Sequence, residues 1–320
     1  MIPFVPPIEP SYGEVRQVSP LIRRVIARNP SKYTYLGTGT YIIGHGDVAV
    51  IDPGPLLDSH RDALAGALEG STVRAILVTH CHSDHSPLAA WLNETTGAPT
   101  YAFGPHGALS DPEDDEPDPS IEAEPEDPSV PAKPEEPKET IDIDFRPDVA
   151  LVDGETIEGK GWTFDAVHTP GHTSNHMCWS FAEEHALFTG DHVMGWSTTV
   201  VSPPDGDMRA YCDSLRKLQD RPGDSTYWPT HGGPVTDPQP FVAEYLAHRL
   251  EREAQVVGLV RDGVGVITDI VAILYADVPV ELHRAAGRSV FSHLHKLVAD
   301  GFVAVDSDGP PKLKSHFVPV

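Results

Sequence analysis

Cysteine is scarce: Cys81, Cys178 and Cys212 are the only three in 320 residues, far apart and with no C-x-x-C pair. That excludes a disulfide framework. Basic residues are also few, 23 Lys and Arg against 48 Asp and Glu. The net charge of −25 argues against a protein that coats nucleic acid or an anionic membrane by charge alone. No apolar run approaches the roughly 20 residues that span a bilayer, so no membrane partner is expected. The opening Met-Ile-Pro-Phe-Val-Pro-Pro lacks the basic and apolar regions of a secretory signal. The expected setting is the cytoplasm. What the chain does have is a 39% hydrophobic share, ample for a sizeable core, and a length that suggests about two domains. It also has 32 prolines, about twice the average share, and 17 histidines.

Much of the charge is concentrated. Between Asp111 and Thr140 stand 13 acidic residues, 2 lysines and 8 prolines, with almost no large apolar side chain beyond Ile121 and Val130. Such a stretch cannot bury enough surface to offset chain entropy, so a disordered or extended insertion is expected at about residues 110–140. It reads either as an acidic arm that screens a site or binds a basic partner, or as a solvated surface loop.

Around the insertion, short strand patterns alternate with helices. Val15 to Ala27, Tyr35 to Ile43, Val48 to Asp52 and Arg74 to Val78 read as strands, and Leu56 to Leu68 and Pro87 to Glu94 as helices. Val149 to Val152, Trp162 to Val167, His176 to Phe181 and Ala186 to Thr189 read as further strands, followed by a helix over Met208 to Leu218. The pattern predicts a layered α/β domain over residues 1–238. Residues 239–320 differ: Phe241 to Val260, Ile270 to Tyr275 capped by Thr268, and Glu281 to Asp300 read as helices. Strands at Phe302 to Val305 and Lys314 to Val318 follow. Three helices and a two-stranded ribbon match a winged-helix arrangement.

The run Thr79-His80-Cys81-His82-Ser83-Asp84-His85 carries the chemistry. Four groups able to bind a metal follow a buried strand within six residues. Strand alternation would put His80 and His82 on one side and leave Cys81 facing away as an inert thiol. Neutral imidazoles with a carboxylate suit a borderline cation such as zinc. Three later segments repeat one pattern, a ligand-capable residue at the end of a β-segment beside glycine: Pro170-Gly171-His172-Thr173, Thr189-Gly190-Asp191 and Thr230-His231-Gly232. The repetition favours one shared site. His176 and His192 stand beside these segments, where each reads either as a support for a ligand or as a structural histidine. Trp196, Trp228 and Tyr211 are nearby aromatics for which core packing is the commoner role.

H-x-H-x-D-H followed by P-G-H-T, T-G-D and a late T-H-G resembles the metallo-β-lactamase fold superfamily over about residues 15 to 238. The resemblance implies an α/β (α+β) fold, a four-layer αββα sandwich with a two-metal site. It implies that His80, His82 and His172 hold the first metal, that Asp84, His85 and His231 hold the second, and that Asp191 bridges them. The cofactors would be two zinc ions, with iron or manganese able to occupy the same ligands. A metal-bridging hydroxide would attack the substrate, and Asp84 is the candidate catalytic residue that orients it. The aspartate at Asp191 and the absence of an export signal set the chain apart from true β-lactamases, and His82 sets it apart from flavodiiron proteins.

The winged-helix pattern, the segment from Asn29-Pro30-Ser31 to Tyr41 and the Asp52-Pro53-Gly54 turn are similar to the β-lactamase-like protein 2 subgroup. One departure is Ser86-Pro87-Leu88, where relatives usually carry Ser-Gly-Gly. Two activities follow. The first is a dinuclear zinc-dependent metallohydrolase acting on an ester, thioester or related small-molecule substrate. The alternative is a metal-dependent endoribonuclease whose winged helix positions single-stranded RNA. On the last long helix Arg284, Arg288, His295 and Lys296 share a face opposite Val290, Phe291, Leu294, Leu297 and Val298. That face suits either nucleic-acid contact or a module for homodimer formation or active-site closure.

Overall fold

The computed structural model describes residues 2–107, 140–307 and 309–320. The acidic insertion lies outside the described residues apart from Thr140. The first half of the chain forms a seven-stranded sheet: β1 (Arg16–Gln17), β2 (Ile22–Ile26), β3 (Gly39–Ile43), β4 (Asp47–Ile51), β5 (Thr72–Leu77), β6 (Thr100–Ala102) and β7 (Val149–Ala150), in that spatial order. Pairing is antiparallel from β1 to β4 and parallel from β4 to β7. Parallel neighbours need a crossover, and α1 (Asp58–Ala67) and α2 (Leu88–Thr96) supply two of them. Gly97, left-handed at φ 71°, stops α2 by returning its N–H to Asn93.

A second sheet carries β8 (Thr156–Gly159), β9 (Trp162–His168), β10 (Met177–Phe181), β11 (Ala186–Gly190) and β12 (Thr226–Pro229). It is antiparallel until β11, which meets β12 in parallel across α3 (Met208–Gln219). Asp207 caps α3 by accepting a hydrogen bond from Ala210 N at 2.7 Å.

Alternation along the strands explains the layers. Tyr41, Ile43, Ala49, Ile51 and Leu77 face inward, meeting Trp162, Phe164, Trp179 and Phe188 between the two sheets. Their neighbours Ile42, Val48, Val50 and Ile76 face outward onto Leu64 of α1 and Ala89 and Leu92 of α2. On the other side Val167, Cys178, Leu187 and Tyr227 meet Tyr211, Leu215 and Leu218 of α3. Each such large apolar side chain contributes about 1.5–3 kcal/mol by leaving water. The result is helix, sheet, sheet, helix.

The next helix, α4 (Pro238–Arg261), belongs to two cores. Its Phe241, Val242, Tyr245 and Leu246 complete the outer layer beside α3. Its Val256 and Val260 pack with α5 (Ile267–Leu274), α6 (His283–Ala299), β13 (Val303–Val305) and β14 (Phe317–Pro319). Three helices and an antiparallel two-stranded ribbon make this a winged-helix unit. Among the described residues no helix is long and apolar enough to cross a membrane.

Several local expectations fail for identifiable reasons. Val15 to Ala27 is two strands, because the chain turns at Ser19–Pro20 and Val18 N bonds back to Ile22 O at 2.9 Å. The short strands β6, β8 and β12 have too few residues to show a period of their own and are defined by their neighbours. Thr268 does not cap α5, which starts at Ile267 after Val266 with no side-chain cap. β5 ends at Leu77, so His80 and His82 stand on a loop and their proximity is set by that loop, not by strand alternation.

Candidate metal centre

The seven candidate ligands converge on one edge of the sandwich. His80, His82, Asp84 and His85 lie between β5 and α2, His172 follows β9, Asp191 follows β11 and His231 follows β12. Strand ends on two facing sheets thus deliver four loops to one place. Three groups have ligand-capable atoms all within 4.8 Å of one another: His80, His82 and His172; His80, His85 and Asp191; Asp84, His85 and His231. His82 Nδ1 stands 2.9 Å from His80 Nε2 and 3.1 Å from His172 Nε2. Asp84 Oδ2 lies 3.4 Å from His85 Nε2 and 3.3 Å from His231 Nε2. Asp191 stands between the sets, with Oδ1 3.4 Å from His231 and Oδ2 3.7 Å from His85 and 3.9 Å from His172.

Four of the imidazoles have Nδ1 held from outside. His172 Nδ1 meets Val200 O at 2.7 Å, His231 Nδ1 meets Gly37 O at 3.3 Å, His85 Nδ1 meets Asp52 at 2.9 Å, and His80 Nδ1 meets Thr79 Oγ1 at 3.0 Å. A fixed Nδ1 leaves Nε2 toward the cluster, an arrangement that suits a metal-ligating histidine. His85 Nε2 and Asp191 Oδ1 are buried and make no hydrogen bond. Buried polar atoms without partners are costly, and a cation among these donors would satisfy both. The donor set therefore fits a pair of divalent cations.

The electrostatics agree. Burial pushes His82 down to about 4 and His80 well below its ordinary value, so both are neutral imidazoles at neutral pH. For His231 burial also opposes charge, but the Asp191 and Asp84 carboxylates outweigh it and hold the ring up at about 10. His85 is likewise held well above its ordinary range, against burial, by Asp84, Asp191 and Asp52. Burial would raise Asp84 and Asp191, yet His85 and His231 keep both carboxyls well below the usual carboxylate range. The protein's own charges thus set two protonated rings against two carboxylates, a balance that divalent cations would take over while releasing protons.

The profile of the Metallo-beta-lactamase superfamily matches residues 35–231, more than half of the chain. The chain belongs to the metallo-β-lactamase superfamily. It is a hydrolase of that superfamily, and the profile of the Beta-lactamase associated winged helix domain matches residues 267–311. An Aspergillus chevalieri protein named atrochrysone carboxyl ACP thioesterase is 31% identical over 315 residues, covering 95% of this chain and 89% of that protein. The lactamase-like protein notP of an Aspergillus species is 29% identical over 334 residues, covering 97% and 90%. A Burkholderia ambifaria beta-lactamase domain protein shares the fold with a TM-score of 0.72 at 20% identity, over 100% of this chain and 97% of its own. A metallo-beta-lactamase family protein from Thermus thermophilus does so at 0.67 and 21%, over 95% and 100%.

Around this superfamily site the structure adds supports that sequence reading missed. Asp52, at the end of β4, is buried and accepts from Thr79 N and Thr79 Oγ1, both at 2.8 Å, and from Thr230 Oγ1 at 3.1 Å, besides holding His85. Thr38 Oγ1 donates to Asp84 Oδ2 at 2.8 Å. Arg24, buried in β2, donates to Thr230 O at 2.9 Å and Gly232 O at 2.7 Å, the two carbonyls that flank His231. Arg249 of α4, also buried, donates to Thr199 O, and Thr199 Oγ1 donates to Asp191 O at 2.6 Å. The C-terminal part of the chain thereby braces the loop that carries Asp191. Only Asp52 left a sequence signal, a strand ending in Asp-Pro-Gly.

The two flanking histidines part company. His176 Nε2 accepts from Asp191 N at 3.3 Å while Nδ1 meets Thr169 Oγ1 at 2.9 Å, so it touches the backbone of the central carboxylate. His192 packs on Tyr211, ring centroids 4.7 Å apart, and both its nitrogens are buried without a hydrogen-bond partner. Cys81 is bonded to Gly104 O and Asn175, and burial raises its thiol to about 12. Pro87 stands immediately before α2, and the adjoining Ser86 Oγ donates to Asp142 at 2.7 Å.

Proposed function

We propose that the protein is a dinuclear zinc hydrolase of acyl thioesters, acting on an acyl group presented by a carrier protein. The observation that carries the reading is the convergence of seven imidazole and carboxylate side chains into groups with ligand atoms within 4.8 Å. The thioester class is supported by relatives that bear the name atrochrysone carboxyl ACP thioesterase. His80, His82 and His172 would hold one ion and Asp84, His85 and His231 the other, with Asp191 between them. An imidazole-rich set with carboxylates favours zinc, and iron or manganese would be the alternative outcomes of metal analysis.

Two such cations supply a Lewis acid for the thioester carbonyl and water ionised near neutral pH. The protein's own residues do the rest. Asp84, whose side chain is 15% exposed against 7% for Asp191, is the more accessible carboxylate, and Thr38 fixes its Oδ2. It is positioned to accept a hydrogen bond from an attacking water and so orient that water toward the carbonyl. Asp191 is held by its backbone N–H on His176 and its carbonyl on Thr199, so its carboxylate has little freedom to turn. Val200 O and Gly37 O keep His172 and His231 in one tautomer throughout a cycle.

The endoribonuclease alternative relied on a basic face of α6. Lys296 of that face bonds Glu253 and Asp300, each at 2.8 Å, and Arg288 bonds Ser202 at 3.2 Å. These side chains are engaged within the chain, which favours the thioesterase reading. The test is turnover of an acyl N-acetylcysteamine thioester against an activated phosphodiester by one preparation of known metal content. Thioester cleavage that disappears in chelator is expected. Phosphodiester cleavage without thioester cleavage would overturn the reading in favour of the nuclease.

A further inference from the structure

We propose that Tyr35 and Trp196 form the acyl-recognition wall of this site, and that the wall takes a planar, conjugated or aromatic acyl group in preference to a short aliphatic one. The two rings are stacked with centroids 4.5 Å apart and planes 6° apart. They come from distant segments, Tyr35 from the loop before β3 and Trp196 from the loop that begins at Asp191. Both are half-buried, and neither joins any of the four apolar clusters that make up the cores. By contrast Tyr211 and Trp228 are core residues. Tyr35 also holds a left-handed backbone at φ 55°, which a bulky residue rarely adopts and which clusters at binding sites.

The pair is tied to the segments that carry the cluster. Two residues beyond Tyr35, Gly37 O faces His231 Nδ1, and the next residue, Thr38, bonds Asp84. Trp196 lies on Gly232, where a β-carbon would come within 3.0 Å of its ring. That glycine allows the indole to approach the turn carrying His231. The indole Nε1 is buried and makes no hydrogen bond, so the indole can offer substrate only the part of its ring that stays exposed.

On the His82 side the packing is different in kind: the ring of His82 lies 6.5 Å from that of His106, whose Nδ1 stands 3.6 Å from Asp205, and the side chains of His106 and Asp205 are both buried. A planar acyl group held at the cluster would gain from offset stacking on the Tyr35–Trp196 wall. An acetyl group is too small to use it.

The word acyl rests on the thioesterase reading, whereas the wall itself does not, and two arms separate them. In the first, naphthoate and acetate are titrated into the zinc-loaded full chain and followed by tryptophan fluorescence. Naphthoate is expected to bind at least about tenfold more tightly, with the advantage lost in Tyr35→Leu and Trp196→Leu and retained in Tyr35→Phe. In the second, kcat/KM is compared for naphthoyl and acetyl N-acetylcysteamine thioesters. The naphthoyl-to-acetyl ratio is expected to fall about tenfold in both leucine variants, chiefly through KM. Wild-type protein that prefers acetate and acetyl, or a ratio unmoved by the leucine variants, overturns the wall. Absence of any thioester turnover, with Tyr35-dependent naphthoate binding intact, overturns the thioesterase reading alone.

Discussion

Replacing Asp52 with asparagine probes how the site is held. Its carboxylate answers four donors: Oδ1 takes Thr79 N at 2.8 Å, and Oδ2 takes Thr79 Oγ1 at 2.8 Å, His85 Nδ1 at 2.9 Å and Thr230 Oγ1 at 3.1 Å. The backbone is left-handed at φ 48°, a conformation asparagine tolerates well, so the change leaves the turn itself unstrained. What changes is the acceptor. An amide offers one oxygen, and either orientation sets its NH2 against a donor. Hydrogen bonds to a charged group contribute about 1.5–3 kcal/mol each, and the amide retains part of them, so Asp52→Asn should destabilise the protein by about 2–4 kcal/mol. Loss of a partner that orients a ligating imidazole typically weakens metal binding by about 10- to 100-fold. Zinc competition against a chromophoric chelator and denaturant unfolding of the chelated protein measure the two effects. A variant that matches wild type in both would show that Asp52 supports neither the loop nor the ring of His85. Lost stability with unchanged zinc affinity would show that Asp52 holds the loop but not the ring of His85.

His82→Ala and Asp191→Ala should each remove metal and activity together, measured as bound zinc and kcat/KM on the same preparation, with the fold retained by circular dichroism. In chelated protein His231 titrates near 10 against 6.5 in the unfolded chain. Its stabilising contribution is therefore complete below pH 6.5 and is lost as pH rises through 10, so the unfolding midpoint should fall across that window. Zinc-loaded protein should not show the same fall, because its imidazoles are ligands throughout. Arg24→Met leaves the buried Thr230 and Gly232 carbonyls without their donor and should cost about 2–4 kcal/mol in denaturant unfolding. Arg249→Met should loosen the Asp191 loop from α4, seen as faster amide exchange at Val193 to Val201 with the α5–α6 core unaltered.

The candidate ligands were legible because the chemistry demands rare residues at fixed places. His80, His82, Asp84 and His85 stand out by spacing, and His172, Asp191 and His231 by recurring at strand ends beside glycine. Their convergence follows from two facing sheets whose strand ends share an edge. The supports were not legible, since Arg24 meets Thr230 and Gly232 only across the fold, and Arg249 meets Thr199 only through the packing of α4. Nothing local distinguishes these arginines from surface ones. The partners of the α6 face were hidden for the same reason: periodicity places Lys296 on one face with Arg288 but cannot show Glu253 of α4 2.8 Å away. The strands β6 and β12 went unread in the sequence, because pairing with their neighbours and not a pattern of their own defines them.

The most direct test of the account is a zinc titration of chelated protein with thioester hydrolysis followed at each addition. Binding of about two ions per chain is expected, with turnover that appears as they bind. Undiminished turnover in chelator, with no transition metal bound, would contradict it.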